Sequence, residues 1–498
     1  MAEKSEPTRT EVLVIGTGFS GLGMAIRLLQ SGRSDFLVLE RAGDVGGTWR
    51  DNTYPGCMCD VPSLLYSFSF APNPDWTCTY PRQAEIWSYL RDCARRFGVT
   101  PHIRLNTAMT AARWDANASR WRVNTTRGAY ESRFLVIGTG GLSEPRMPDV
   151  AGLDTFDGAL FHSARWRHDH DLTGERVVAV GTGASAIQFI PEIQPRVAQL
   201  TVLQRTPAWV LPHPNRTLPV WERRLMRALP VTERARRFGV YLSREMLVPG
   251  LIHDPKLVSL LERVALRHLR DQVKDPHLRE QLTPRFRLGC KRILISNDYY
   301  PALAKPNVEL VTDRLAEVRQ HSIVTADGRE RAADAIVVGT GFRVTDMPVA
   351  TIVCGDDGRS LAQVWDGSPQ AYLGTTVAGF PNLFFLSGPN TGLGHTSLVF
   401  MIESQIAYVL DALRLASAQR LDVIEVRARA QARFNQEIQR RMRSTVWTTG
   451  GCASWYIDAK GRNTTLWPDF TWPFHRRTRR FDPAAYTLRR TVAPAVAA

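Results

Sequence analysis

Gly16-Thr-Gly18-Phe-Ser-Gly21 and Gly181-Thr-Gly183-Ala-Ser185-Ala186 repeat one spacing, GxGxx(G/A). Glycines at these places permit a tight turn and a close approach to a pyrophosphate, whose charge then meets a helix N-terminus. A chain with two such turns brings two cofactors together. The residues that follow tell them apart. Nineteen positions beyond the first turn stands Glu40, at a strand end, where a carboxylate accepts from a ribose 2′-hydroxyl. That favours FAD or NAD over NADP. Nineteen positions beyond the second turn stands Arg205, after Gln204 and before Thr206. A cation there suits a 2′-phosphate that an acid would repel, although an arginine in this place is also an ordinary surface residue. The two turns thus differ as an FAD site differs from an NADPH site. Thr182 and Ser185 lie within the second turn.

Other groups stand ready to act on a substrate. Gly46-Gly47-Thr48-Trp49 opens a segment running to Phe70 through Tyr54, Asp60 and Tyr66. It is rich in aromatics and turn formers and has no clear periodicity, so an ordered loop beside the first cofactor is expected. Asp60 alone reads as a helix cap or turn former. Lys291 and Arg292 are adjacent cations within 288–303. The Gly/Asn-rich loop at 379–397 precedes a helix, and a helix start suits the anionic or carbonyl parts of a flavin. The seven cysteines offer no CxxC or CxxxxC spacing, and Cys57 and Cys59 form only a CxC. That argues against a flavin–dithiol reductase and leaves free thiols as the expectation.

Each turn needs a strand before it and a helix after it. The apolar runs predict strands at 12–15, 36–39, 134–137, 176–180, 200–203, 308–311 and 335–338, and helices at 22–31, 82–97, 185–193 and 398–416. A meander fits 103–130. The strand at 335–338 ends in Gly339-Thr-Gly341, like Gly138-Thr-Gly140 after the strand at 134–137. The expected fold is α/β, with two Rossmann-like dinucleotide-binding domains, the second inserted in the first. Residues 1–145 and 335–498 would form the first domain, and 146–334 the second. A basic helical insertion at about 221–282 would cover a pocket.

A length of 498 residues suggests two to four domains, and 44% hydrophobic with 22% charged residues fits a sizeable globular core. Lys and Arg outnumber Asp and Glu by 63 to 48. The charge is read as solvated surface with some attraction for polyanionic cofactors, since no nucleic-acid motif accompanies it. The polar N-terminus shows no signal peptide, no run is long enough to span a bilayer, and the tail TVAPAVAA is too short to anchor. A cytoplasmic protein is expected, monomer or homodimer, without nucleic-acid or membrane partners.

Phe156-x-Gly158-xxx-His162-xxx-Trp166 lies between the two turns and resembles the fingerprint of the flavoprotein Baeyer–Villiger monooxygenases. The companion motif of that family is met at Gly46, Gly47, Trp49, Tyr54, Pro55, Gly56 and Asp60. Arg167 departs from the Pro or Asp that usually follows the fingerprint tryptophan. The resemblance spans about 11 to 480. It implies FAD reduced by NADPH, a flavin C4a-peroxide formed with O₂, and attack on a ketone to give an ester or lactone. It implies that Arg292 is the cation serving this chemistry and that Asp60 positions it. The implied cofactor contacts are Gly16, Gly18, Gly21, Glu40, Gly47, Thr48, Trp49, Asp60 and Tyr66, together with Gly181, Thr182, Gly183, Ser185, Arg205, Thr206, Lys291 and Trp455. His162 is implied to be structural. The alternative is a flavin-containing monooxygenase acting on sulfur or nitrogen.

Overall fold

The computed structural model describes residues 6–490. The extreme N-terminus and the tail 491–498, where neither leader nor anchor is expected, lie outside the described residues. Among the described residues, two large sheets organise the chain.

The first sheet has eight strands. Thr8–Ile15 lies at its centre, parallel to Phe36–Leu39 on one side and Gly128–Ile137 on the other. Val12, Leu13 and Val14 are fully buried, as a strand covered on both faces requires. Met109–Asp115, Arg120–Thr125 and Gly128–Ile137 form the antiparallel meander, with Trp121 bonded to the Pro381 carbonyl at 2.9 Å. Two strands return from far along the chain: Val353–Cys354 beside Met109–Asp115, and Leu383–Phe385 beside Gly128–Ile137.

The second sheet has five parallel strands, in the order Val308–Val311, Gln199–Leu203, Arg176–Val180, Ala335–Val338, Ala159–His162. It falls wholly between the two parts of the first sheet, so the second domain is inserted in the first.

Two details correct the sequence reading. Ala335–Val338 does not return to the first domain; it pairs with Arg176–Val180 and Ala159–His162, and the first sheet resumes only at Val353. The Gly-Thr-Gly repeat misleads because it marks the strand neighbouring each nucleotide turn. A Cβ on Gly16 would meet the Gly138 carbonyl at 2.9 Å, and one on Gly181 would meet the Gly339 carbonyl at 2.7 Å. The same close approach is built once in each sheet. The fingerprint segment, in turn, is no mere connector, since Ala159–His162 is the edge strand of the second sheet. A further small sheet at 315–332 carries no signal that the sequence reading used.

The insertion comprises the helices Val220–Ala228, Pro230–Glu245, Ser259–Gln272 and Pro276–Gln281. The long helix Leu398–Ala418 packs on the first nucleotide helix Phe19–Gln30, where a Cβ on Gly23 would strike Ile406 and Phe68 at 2.9 Å. Among the described residues, no helix is long and apolar enough to cross a membrane.

Candidate active site

The helix Phe19–Gln30 opens at Gly18, whose extended backbone lends no side-chain cap. Its first N–H groups therefore lack the partner that a Ser or Asp cap would supply, and an anion can take that place. A Cβ on Gly21 would lie 1.8 Å from the Gly16 carbonyl, so only glycine closes this turn. Gly47 comes close to Gly18 from the opposite side. Glu40 is buried at the end of the neighbouring strand. It accepts from the backbone N–H of Thr17 and of Ala42, both at 3.0 Å, and pairs with Arg50 at 2.9 Å. Its backbone partners fix the carboxylate, while the Thr17 hydroxyl and Arg50 can exchange for ribose hydroxyls. Trp49 donates to the Tyr66 hydroxyl at 3.0 Å, and the Tyr66 ring packs edge-on to Phe19. Ser387 touches Ser20 at 3.2 Å, bringing the 379–397 loop to the same helix start. These residues make a cradle suited to a dinucleotide.

At the second turn a Cβ on Gly183 would meet nothing within 4 Å. Packing within the protein does not call for glycine there, whereas close approach of a ligand does. Thr182 donates to the Thr206 carbonyl at 3.3 Å, tying the turn to the strand end that carries Arg205. Ser185 precedes the helix Ala186–Ile193 and makes no cap bond of its own. Burial, and then the charge of Arg205, lower the Lys291 ammonium from its ordinary value. Among the described residues neither cation has an ion pair. Two cations held side by side form a site for a multiply charged anion such as a phosphate monoester.

Between the turns, Arg292 meets Asp60 in a two-pronged bond, Nε to Oδ2 at 2.8 Å and Nη2 to Oδ1 at 2.7 Å. Its Nη1 donates to the Leu393 carbonyl at 3.1 Å. Both side chains remain a quarter exposed. Burial opposes the charge on each, and the partner's charge overcomes it. Asp60 is thereby held below the usual carboxylate range, and Arg292 above the usual guanidinium range. Arg292 is a permanent, oriented cation.

The 46–70 segment docks on the second domain. Tyr54 donates to Gln188 Oε1 at 2.9 Å, and the Gln188 amide donates to the Met58 carbonyl at 3.1 Å. Gly56 has φ of +75°, and a Cβ there would lie 2.7 Å from the Gln188 carbonyl. Trp166 packs against Phe161 and against Phe189 of the second nucleotide helix. Gly158 is pressed on the Asp334 carbonyl and the Phe156 ring. His162 is buried, and its Nδ1 accepts from the Ala164 N–H at 3.1 Å. Arg167 points outward and pairs with Asp169 at 2.8 Å.

Trp455 is half-exposed and lies on Tyr456 at 4.4 Å between ring centroids. Sequence reasoning passed over Tyr456, which is buried against the Arg292–Asp60 pair and whose hydroxyl burial pushes up to about 12. It also missed Arg244, whose charge reaches Asp60, and the buried Glu245–His395 contact at 3.2 Å. None belongs to a local motif. The expectation of free thiols is corrected as well: Cys290 is bonded to Cys452, their Cα atoms 6.1 Å apart across 162 positions. That separation leaves no spacing signal in sequence. The bond ties the Lys291–Arg292 loop to the segment carrying Trp455 and Tyr456.

A family model described as pyridine nucleotide-disulphide oxidoreductase matches residues 13–235, the span holding both glycine turns. A Baeyer–Villiger monooxygenase of Streptomyces coelicolor is 53% identical, over 96% of this chain and 92% of its own length. One from Pseudomonas aeruginosa is 50% identical, over 99% and 94%. Among solved structures, cyclohexanone monooxygenase from Rhodococcus sp. Phi1 bound to NADP+ superposes with a TM-score of 0.87 at 27% identity, covering 98% of this chain and all of that one. The OTEMO complex with FAD and NADP gives 0.88 at 27%, covering 97% and 100%. With half its residues identical to such enzymes along nearly the full length, and the same two-domain fold, this chain belongs to the Baeyer–Villiger monooxygenases.

Proposed function

We propose that this enzyme holds FAD at the Gly16 turn and NADPH at the Gly181 turn, and inserts one atom of O₂ beside a ketone carbonyl to give an ester or lactone. The observation that carries the proposal is the forked Asp60–Arg292 pair, which joins the first domain's loop to the second domain and remains a quarter exposed. When bound, the flavin would supply the redox chemistry, taking electrons from NADPH and activating O₂. The chain's own residues do the rest. Carbon–oxygen bond formation builds negative charge on oxygen, and a preorganised cation lowers its energy most where water is excluded. Arg292 meets that need because Asp60 aims it and its charge persists throughout the working pH range. Asp60 is a positioning residue acting through Arg292. Arg205, Lys291 and Thr206 hold the 2′-phosphate, and Trp455 covers the nicotinamide nucleotide. Because NADPH is a cytoplasmic reductant, the enzyme works in the cytoplasm, with ketone and O₂ as its small-molecule partners.

The test is product analysis. Holoenzyme with NADPH and O₂ is given a cyclic ketone, an acetophenone, a long-chain ketone and a thioether. The proposal expects a lactone or ester by mass spectrometry; sulfoxide as the sole product would replace it with heteroatom oxygenation.

A further inference from the structure

The helix Pro230–Glu245 is built inside out. Its inward face packs Val240 and Tyr241 on the core, with Tyr241 stacked on Phe400, but is otherwise polar and bonded. Arg237 donates to the Ser67 hydroxyl and carbonyl, each at 3.1 Å, and Arg244 donates to the Tyr80 hydroxyl. Glu245 accepts from the Thr471 N–H at 3.0 Å and its hydroxyl at 2.8 Å. Glu233 is buried too. The outward face carries Val231, Phe238 and Leu242, 68%, 60% and 46% exposed, followed by Met246 at 75%. They sit at i, i+7, i+11 and i+15, which is one helical stripe. Polar anchors at the middle and the C-terminal end of the helix fix this orientation.

The neighbouring elements repeat the arrangement. In Val220–Ala228, Glu222 turns inward to Arg216 and Arg236, while Trp221 and Leu225 face solvent. Among the described residues, eleven of the fifteen exposed large hydrophobics fall within 220–264. Such crowding in 45 of 498 residues is not the scattered exposure normal for a surface. The same region is basic. From 220 to 270 there are eleven Arg and Lys against five Asp and Glu; Arg237 and Arg244 turn inward, as do the buried Glu222, Glu233 and Glu245, and the remaining cations still outnumber the remaining acids. Among the described residues Arg224 and Arg234 stand exposed without an ion pair.

We propose that this face lies on the surface of an anionic bilayer, with the stripe at headgroup depth and the arginines on lipid phosphates. An apolar stripe flanked by arginine, with Trp and Phe among its members, is the chemistry of an interfacial helix. A second copy of this chain would bring the same excess of positive charge against itself, whereas an acidic leaflet neutralises it. The sequence already shows charge dense at 223–237, read there as solvated surface; the fold sets exposed apolar groups beside it. Peripheral contact of this kind needs no spanning helix. It also sets the apolar phase beside the site, since Glu245 touches His395, two residues from the Leu393 carbonyl that Arg292 holds. An apolar ketone dissolved in lipid would then enter from the leaflet.

Flotation of the purified holoenzyme with phosphatidylglycerol–phosphatidylcholine vesicles tests this without any substrate. Wild type is expected to float with acidic vesicles and to remain behind with pure phosphatidylcholine. Phe238→Glu with Leu242→Glu should lower the partition at least about tenfold at unchanged flavin content, and Arg224→Gln or Arg234→Gln about fivefold each. Trp221→Glu, on a separate helix, guards against a folding defect in the first variant. Absence of flotation with acidic vesicles overturns the proposal, as does equal flotation with neutral ones. A dimer in gel filtration that Leu242→Glu dissociates, with no vesicle binding, would assign the face to a second copy instead.

Discussion

Asp60 grips Arg292 through both carboxylate oxygens although 232 positions separate them, and the bond crosses from the first domain to the second. A fork of this kind sets direction as well as charge. Arg292→Ala should therefore leave flavin reduction by NADPH intact and lower ester formation by about a hundredfold or more. Arg292→Lys should not restore it, because an ammonium cannot make the fork. Asp60→Asn should fall between, keeping the cation but loosening its aim. Stopped-flow reduction rates set beside product yields separate the two half-reactions; a normal ester yield in Arg292→Ala would refute the assignment.

Arg205 and Lys291 form the other charge relationship. Burial and Arg205 both depress the Lys291 ammonium, a strain that a 2′-phosphate bound there, as proposed, would relieve. Arg205→Ala should raise KM for NADPH about tenfold or more while hardly changing that for NADH. The variant should also lose most of the salt dependence of NADPH binding. An unchanged preference between the two nucleotides would remove Arg205 from the site.

These two pairs differ in how legible they were. Gly16, Gly18, Gly21 and Glu40 announce themselves because strand, turn, helix and strand end all lie within one short local unit, and the same holds for Gly181 to Arg205. Asp60 alone reads as a turn former, and only the resemblance pairs it with Arg292. Tyr456, Arg244 and the Cys290–Cys452 bond carry no local signal, because what defines them is proximity created by the fold. The misplaced strand Ala335–Val338 fails for the opposite reason. Its Gly-Thr-Gly signal is real, but it encodes a close approach needed in both sheets and cannot say which sheet.

Gly56 is where the first domain's loop presses on the second nucleotide helix, with φ of +75° and the Gln188 carbonyl 2.7 Å from any Cβ. Gly56→Ala should push the loop off that helix and cost roughly 1–3 kcal/mol. The Asp60 end of the same loop would shift with it. The expected signature is NADPH oxidation that continues while ester falls and hydrogen peroxide rises. Coupling equal to wild type would show that the contact does not transmit to Asp60.

The Cys290–Cys452 bond closes a loop of 162 positions, and constraining the unfolded chain over that length is worth at most about 5 kcal/mol. It also fixes the two residues that follow Cys290, which are Lys291 and Arg292. Reduction with a thiol, or Cys290→Ser, should lower Tm and raise KM for NADPH, and both treatments should agree. Thiol titration before and after reduction establishes the redox state. An unchanged Tm on verified reduction would show that the surrounding packing holds the loop alone.

His162 gives the folded protein a defined acid sensitivity. Burial drives its imidazole down to about 4 from an ordinary 6.5, and its Nδ1 already accepts the Ala164 N–H. The unfolded chain lets the ring titrate at its ordinary value. Between pH 6.5 and 4 the unfolded state therefore holds a proton that the folded state does not. Stability from this group is intact above 6.5, falls as pH drops through that window, and changes no further below 4. The loss amounts to about 3 kcal/mol at most. His162→Gln should be less stable near neutrality, for want of a well-fitted acceptor, yet should lose less on acidification than wild type. Urea unfolding of both proteins at a pH above the window and at one inside it measures the difference. Parallel declines would mean that other groups, not His162, set the acid limit. Because the ring is neutral and its acceptor nitrogen is occupied, the same substitution should leave the pH profile of kcat/KM in place even where it lowers the rate.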